Sequence, residues 1–160
     1  LRRNRLMIFK APLIAFQSEL YAMLSNADEM TFSVYDSSMT IGEILNSLKN
    51  QEVVNYGVIA DVSCTPSSAK ADSVMWRVNV RIELFSTYRG RKQVADMINV
   101  IGSVATQYTD VFDANLAAKG YRLIKMEAGE SVIGGAIEAN GIVWQNGYIN
   151  LNYQLYQLDT

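Results

Sequence analysis

Between Val74 and Leu84 every even position is apolar: Val74, Trp76, Val78, Val80, Ile82 and Leu84. The odd positions hold Arg77, Asn79, Arg81 and Glu83, with Met75 as the only break. Successive side chains of a strand point to opposite faces, so this alternation predicts a long strand with one buried and one polar face. At Ser86-Thr87 the period changes. Val94, Met97, Ile98, Ile101, Val104 and Ala105 then recur at helical spacing. A long antiparallel-type strand running directly into an amphipathic helix is the frame that the rest of the chain must fit.

The other segments extend that frame. Pro12 opens a helix whose apolar stripe is Leu13, Phe16, Leu20, Met23 and Leu24, because a proline at a helix start loses no hydrogen bond. Thr31–Tyr35 reads as a short strand. Thr40 and Glu43 have the spacing of a capping box, which predicts a short helix over 41–49. Asn55–Ser63 reads as a second strand and Pro66–Lys70 as a loop. Gly102 interrupts the second main helix and is expected to mark close approach to another backbone. Val111–Lys119 continues as helix and stops at Gly120. Tyr121–Glu127 is a further strand. Ala128–Gly141, with four glycines, is expected to be a mobile loop or arm. Ile142–Leu158 is the last strand region, with a turn or bulge at Asn146-Gly147. Ile149, Leu151, Tyr153 and Leu155 fall on one face of it, and Asn150, Asn152 and Gln154 on the other.

The expected architecture is therefore α+β: an antiparallel sheet of four to five strands, two main helices mostly on one face, and a short extra helix. Clean polar alternation argues against a parallel sheet covered on both sides. Residues 7–158 make a single domain, and Leu1–Leu6, which precede Met7, read as a tag or disordered tail. Nearly half the residues (49%) are hydrophobic, enough for a real core in a chain of this length. The apolar runs are too short to span a bilayer, and no leader pattern is visible.

Chemistry is sparse. Histidine is absent and Cys64 is the only cysteine. Nucleophile schemes that need an imidazole, imidazole metal sites, intrachain disulfides and thiolate clusters are all excluded. Gly134-Gly135 lacks the spacing of a phosphate loop. Asp110 and Asp113 could share a helix face and bind a hard cation, but a solvated helix end is the preferred reading. Ser67-Ser68 has no base beside it. The expected reading is no enzyme, no cofactor and no metal. Net charge is −2, and −5 without the three arginines of the tail, so general nucleic-acid binding is disfavoured.

Two features do not fit plain core or plain solvated surface. Tyr88-Arg89-Gly90-Arg91-Lys92 sets three cations at the start of the second main helix, where the macrodipole favours anions. They are either solvated or meet carboxylates of a neighbouring subunit or DNA phosphates. The outer faces of the two long strands carry Arg77, Arg81, Tyr148, Asn152 and Tyr156, types favoured in interfaces over Lys and Glu. Arg77, Arg81, Arg89, Arg91, Lys92, Tyr148, Asn152 and Tyr156 are the candidate assembly residues.

The helix Ala11–Leu24, the segment Val78-Asn79-Val80-Arg81-Ile82-Glu83-Leu84-Phe85-Ser86 feeding a helix over Arg91–Thr106, and the closing pair within Tyr121–Leu158 resemble the tail terminator (tail completion) proteins of long-tailed bacteriophages. The resemblance covers most of residues 8–158 as a pattern of elements. It implies a structural virion protein with no catalytic site. Such a protein forms a homo-oligomeric ring, usually a hexamer, that caps the tail tube, ends tube polymerisation and faces the head–tail connector. It also implies tail tube and connector proteins as partners, DNA passing through the lumen without specific binding, and residence in the virion tail after assembly in the bacterial cytoplasm. No membrane contact is implied. Another head–tail joining or tail tube component, and a non-viral α+β binding module, are the alternative readings.

Overall fold

A computed structural model of the chain describes residues 8–36, 40–47, 49, 52–70, 73–139 and 141–158. The expected tail, residues 1–6, lies outside them. Their elements are α1 (Leu13–Asn26), β1 (Ser33–Tyr35), α2 (Ile41–Ser47), β2 (Asn55–Lys70), β3 (Ser73–Ser86), α3 (Lys92–Gln107), α4 (Thr109–Ala117), β4 (Tyr121–Ile133), β5 (Ile137–Ala139) and β6 (Ile142–Gln157). The class is α+β, with strands ordered β1-β2-β3-β6-β4 and β5 paired to β6 beyond the end of β4.

β3 behaves as its alternation dictates. Val74, Trp76, Val78, Val80, Ile82 and Leu84 are all buried, each contributing about 1.5–3 kcal/mol of transfer free energy. β6 lies antiparallel beside it with no register shift from Val74↔Gln157 to Ser86↔Gln145. Ile149, Leu151, Tyr153 and Leu155 therefore join the same buried face. α3 covers this face with Val94, Met97, Ile98, Ile101, Val104 and Ala105. α1 and α4 are joined to β6 by a triangle of rings. Phe16 lies 4.9 Å from Tyr153 and 5.5 Å from Phe112, and Phe112 lies 5.4 Å from Tyr153, at the spacing of favourable tilted and edge-to-face pairs.

The ends of the buried layer are closed by polar groups. Gln157 is buried; its Oε1 accepts the Trp76 indole N–H at 3.0 Å and the Lys10 amide at 3.2 Å. Phe9 packs on the Trp76 ring at 4.6 Å. At the other end buried Ser86 donates to Asn55 Oδ1 and accepts the Tyr88 amide N–H. Thr87 Oγ1 accepts the Val54 amide at 2.9 Å, and the Thr87 amide donates back to the Val54 carbonyl at 3.0 Å.

Several expectations are corrected. Among the described residues the sheet has six strands, and β1 pairs parallel to β2. A parallel neighbour needs a crossover, which the segment carrying α2 supplies. Leu45 of α2 packs with Tyr56, Phe85 and Trp144 in a second small core on the face opposite the main helices. The capping box that opens α2 is formed reciprocally: the Thr40 amide donates to Glu43 Oε2 at 3.0 Å and the Glu43 amide to Thr40 Oγ1 at 3.2 Å. Pro66–Lys70 is strand, not loop. β2 meets β1 only through Tyr56–Val58, so Pro66 sits on an open edge beside a register shift at Pro66/Ser68, where a strand tolerates proline.

The expected mobile arm at 128–141 is mostly strand as well. β4 runs on to Ile133 through a shift between Ala128 and Ser131, and β5 then pairs with the start of β6. Glycine serves close packing here: a Cβ on Gly129 would lie 2.9 Å from Asn152 Nδ2 and 3.1 Å from the Asn150 carbonyl. β6 is continuous through Asn146-Gly147. What changes there is its partner, since the Gly134 amide donates to the Asn146 carbonyl at 2.8 Å as β4 gives way to β5. A Cβ on Gly102 would meet the Ile149 side chain, at 3.8 Å from Cδ1, and no backbone atom of another element within 4 Å among the described residues.

Two substitutions test this packing by thermal denaturation. A Cβ on Gly147 would sit 2.5 Å from the Val132 carbonyl and 2.7 Å from Val94 Cγ1. Gly147→Ala is expected to destabilise the fold by about 1–3 kcal/mol. The Tyr153 hydroxyl is buried without a hydrogen-bond partner among the described residues, and burial holds its pKa far above the ordinary value. Tyr153→Phe removes an unpaired polar atom and is expected to be neutral or to stabilise by about 1 kcal/mol; a marked fall in Tm would show that the hydroxyl is bonded.

Candidate assembly surfaces

The candidate residues divide into two groups. Arg77, Arg81, Tyr148, Asn152 and Tyr156 lie on the sheet face away from α1, α3 and α4, because the β3–β6 register puts odd residues of β3 and even residues of β6 there. Arg89, Arg91 and Lys92 lie in the β3–α3 turn and the first residue of α3. Arg81 and Ser86 are five residues apart on β3, about 17 Å at strand rise. The turn is a separate surface.

The open face is a shallow polar floor. Asp61, Ser63 and Thr65 of β2 pair with Arg81, Asn79 and Arg77, and Lys125 and Glu127 of β4 pair with Gln154 and Asn152. Part of it is bonded to itself. Arg81 Nε donates to Asn150 Oδ1 at 3.2 Å while its guanidinium sits 4.1 Å from the Tyr148 ring centroid. The Tyr148 hydroxyl donates to Glu130 Oε1, and this bond to a carboxylate raises the phenol pKa. Lys125 and Glu127 form an exposed pair at 2.7 Å, which adds little stability in water. Arg81 and Tyr148 are thus engaged within the chain. Arg77, Asn152 and Tyr156 make no side-chain hydrogen bond or ion pair among the described residues and remain available to a partner.

Arg89, Arg91 and Lys92 are exposed and also form no ion pair among the described residues. No helix cap offsets them: Arg91 is the N-cap of α3 without a side-chain cap bond, and the first turn has no acidic residue.

The paired aspartates separate by role. Asp113 Oδ1 accepts the Leu123 amide at 2.8 Å and Arg122 Nε at 3.2 Å, tying α4 to β4. No group of acidic, cysteine or histidine side chains able to hold a metal occurs among the described residues. No helix among the described residues is long and apolar enough to cross a membrane. Sequence reasoning missed the groove between α1 and α4, about 140 Å³ in volume and lined by Met23, Ala27, Tyr108, Val111 and Phe112. The one signal for it was the apolar Val111, left 56% exposed on α4.

No protein-family model matches the chain, and no curated protein matches it.

Cys64 lies on the helix-side face of β2, half-buried, and burial pushes its thiol up to about 11. The thiolate is the reactive form. Labelling of the native protein by a disulfide reagent is expected to be slow at pH 7.5, to accelerate as pH rises toward 11, and to become fast on unfolding. Rapid labelling at pH 7.5 in the folded state would show an exposed, activated thiol.

Proposed function

We propose that this protein is a structural subunit of a long-tailed bacteriophage, acting as a tail terminator: it assembles into a hexameric ring that caps the tail tube, stops tube polymerisation and presents a surface to the head–tail connector. The work is done by interfaces, with no cofactor and no catalytic step. DNA passes through the lumen without specific binding, which suits an acidic subunit because tight phosphate binding would impede passage. The subunit assembles in the host cytoplasm and resides in the virion tail.

The observation that carries the reading is the uncovered sheet face. The adjacent strands β3 and β6 lay out Arg77, Asn79, Asn152, Gln154 and Tyr156 with no helix over them among the described residues. A face meant only for solvent is usually rich in Lys and Glu, whereas Arg and Tyr combine contact area with hydrogen bonding. The cations at Arg89, Arg91 and Lys92, which form no ion pair among the described residues, add a second surface.

Sedimentation of the purified protein over a wide concentration range, with negative-stain electron microscopy of the same samples, tests the reading. Closed hexameric rings are the expected result. Long stacked tubes would instead assign a tube component, and a monomer at every concentration would leave a non-assembling binding module.

A further inference from the structure

α3 carries opposite charges at its two ends, and both oppose its dipole. Its start bears Arg89, Arg91 and Lys92. Its end abuts Asp28 and Glu29, since the Tyr108 hydroxyl following α3 donates to Glu29 Oε2 at 2.7 Å. Asp110 stands two residues beyond Tyr108 in the first turn of α4. Asp28 and Glu29 also follow the C-terminus of α1, where anions are again unfavourable. α3 has 16 residues, so about 24 Å separates the two clusters and they cannot meet within one chain.

Each cluster flanks a complementary shape. Among the cations stands Tyr88, 45% exposed, on a backbone pinned by the Ser86–Asn55 and Thr87–Val54 bonds. Among the anions lies the α1–α4 groove, whose volume of about 140 Å³ is on the scale of a cavity that takes one aromatic ring. No lysine or arginine occurs within residues 20–30 or 105–115, and the cations nearest in sequence to these helices are paired elsewhere, Lys119 with Glu19 and Arg122 with Asp113.

We propose that Tyr88 of one copy seats in the α1–α4 groove of the next, with Arg89, Arg91 and Lys92 facing Asp28, Glu29 and Asp110. Charge complementarity selects a second copy of this chain as the occupant. The contact is head-to-tail, so each copy offers one end and receives the other, and repetition closes a ring or extends a filament. A preformed turn and groove lose little conformational entropy on meeting. The inference rests on the ring-forming reading above and names its subunit contact.

The test is a charge swap read by sedimentation and negative-stain microscopy. Arg89→Glu with Arg91→Glu, and separately Asp28→Lys with Asp110→Lys, are each expected to weaken self-association by roughly 100-fold, because like charges then face one another. The chain carrying all four substitutions is expected to reassemble. Tyr88→Ala is expected to weaken association without changing its salt dependence. Circular dichroism of each variant confirms folding. Rings that persist in both charge-reversed variants would overturn this contact while leaving the ring reading intact. Loss of rings without recovery in the four-substitution chain would overturn it too. A wild-type protein that stays monomeric would sink both.

Discussion

The unshifted ladder between β3 and β6 is the constraint on which the rest of the molecule depends. Because it runs from Val74↔Gln157 to Ser86↔Gln145 without a bulge, the two alternations are locked in phase. A slip of one residue would send Trp76, Val78 and Val80 to the open face and bring Arg77 and Asn79 under α3, burying charge without a partner. The helices need only cover a face already sorted by this pairing. α3 follows β3 through a pinned turn, and the Phe16–Phe112–Tyr153 rings dock α1 and α4 onto the same ladder.

That ladder also creates the opposite problem, a broad sheet face with little to cover it. One end is closed by the small core of Tyr56, Phe85 and Trp144, where Tyr56 stacks on Phe85 at 5.0 Å and meets Trp144 edge-on at 5.5 Å. Toward the middle the face satisfies itself through Arg81, Asn150, Tyr148 and Glu130. Farther along, Arg77, Asn152 and Tyr156 have no such bonds among the described residues. The face thus passes from packed, to internally bonded, to unoccupied, and its unoccupied third is the part with most to gain from a partner.

The long strands and the amphipathic helices were legible in the sequence because each has a single strong period set by burial on one side. The capping box at Thr40 and Glu43 was legible for a local reason, as its bonds span three residues. What escaped was set by non-local pairing. β5 is three residues long, too short for a period, and β1, legible as a short strand from its β-formers, gave no sign of its parallel partner. The parallel crossover through α2 depends on which strand β1 finds. Glycines at 128–141 looked like a mobile arm because composition does not distinguish a glycine that permits motion from one that permits close packing, as Gly129 does against Asn150 and Asn152. Of the candidate interface residues, type and strand face were readable. That Arg81 and Tyr148 are spent within the chain was not, because Asn150 and Glu130 come from other strands.

The sheet edges bear on how copies of such a chain would meet. Open edges invite strand addition, and proteins that must avoid it kink them. Here the central ladder has no irregularity, yet both flanking strands do: β2 shifts at Ile59/Asp61 and Pro66/Ser68, and β4 at Leu123/Lys125 and Ala128/Ser131. Pro66 removes a donor from the β2 edge, and β1 offers only three residues. Bulges bend and twist an edge away from the flat geometry another strand needs. Edge-to-edge pairing is therefore the disfavoured route. The surfaces left for specific contact are the unoccupied part of the sheet face and the two charged ends of α3, both presented by rigid elements.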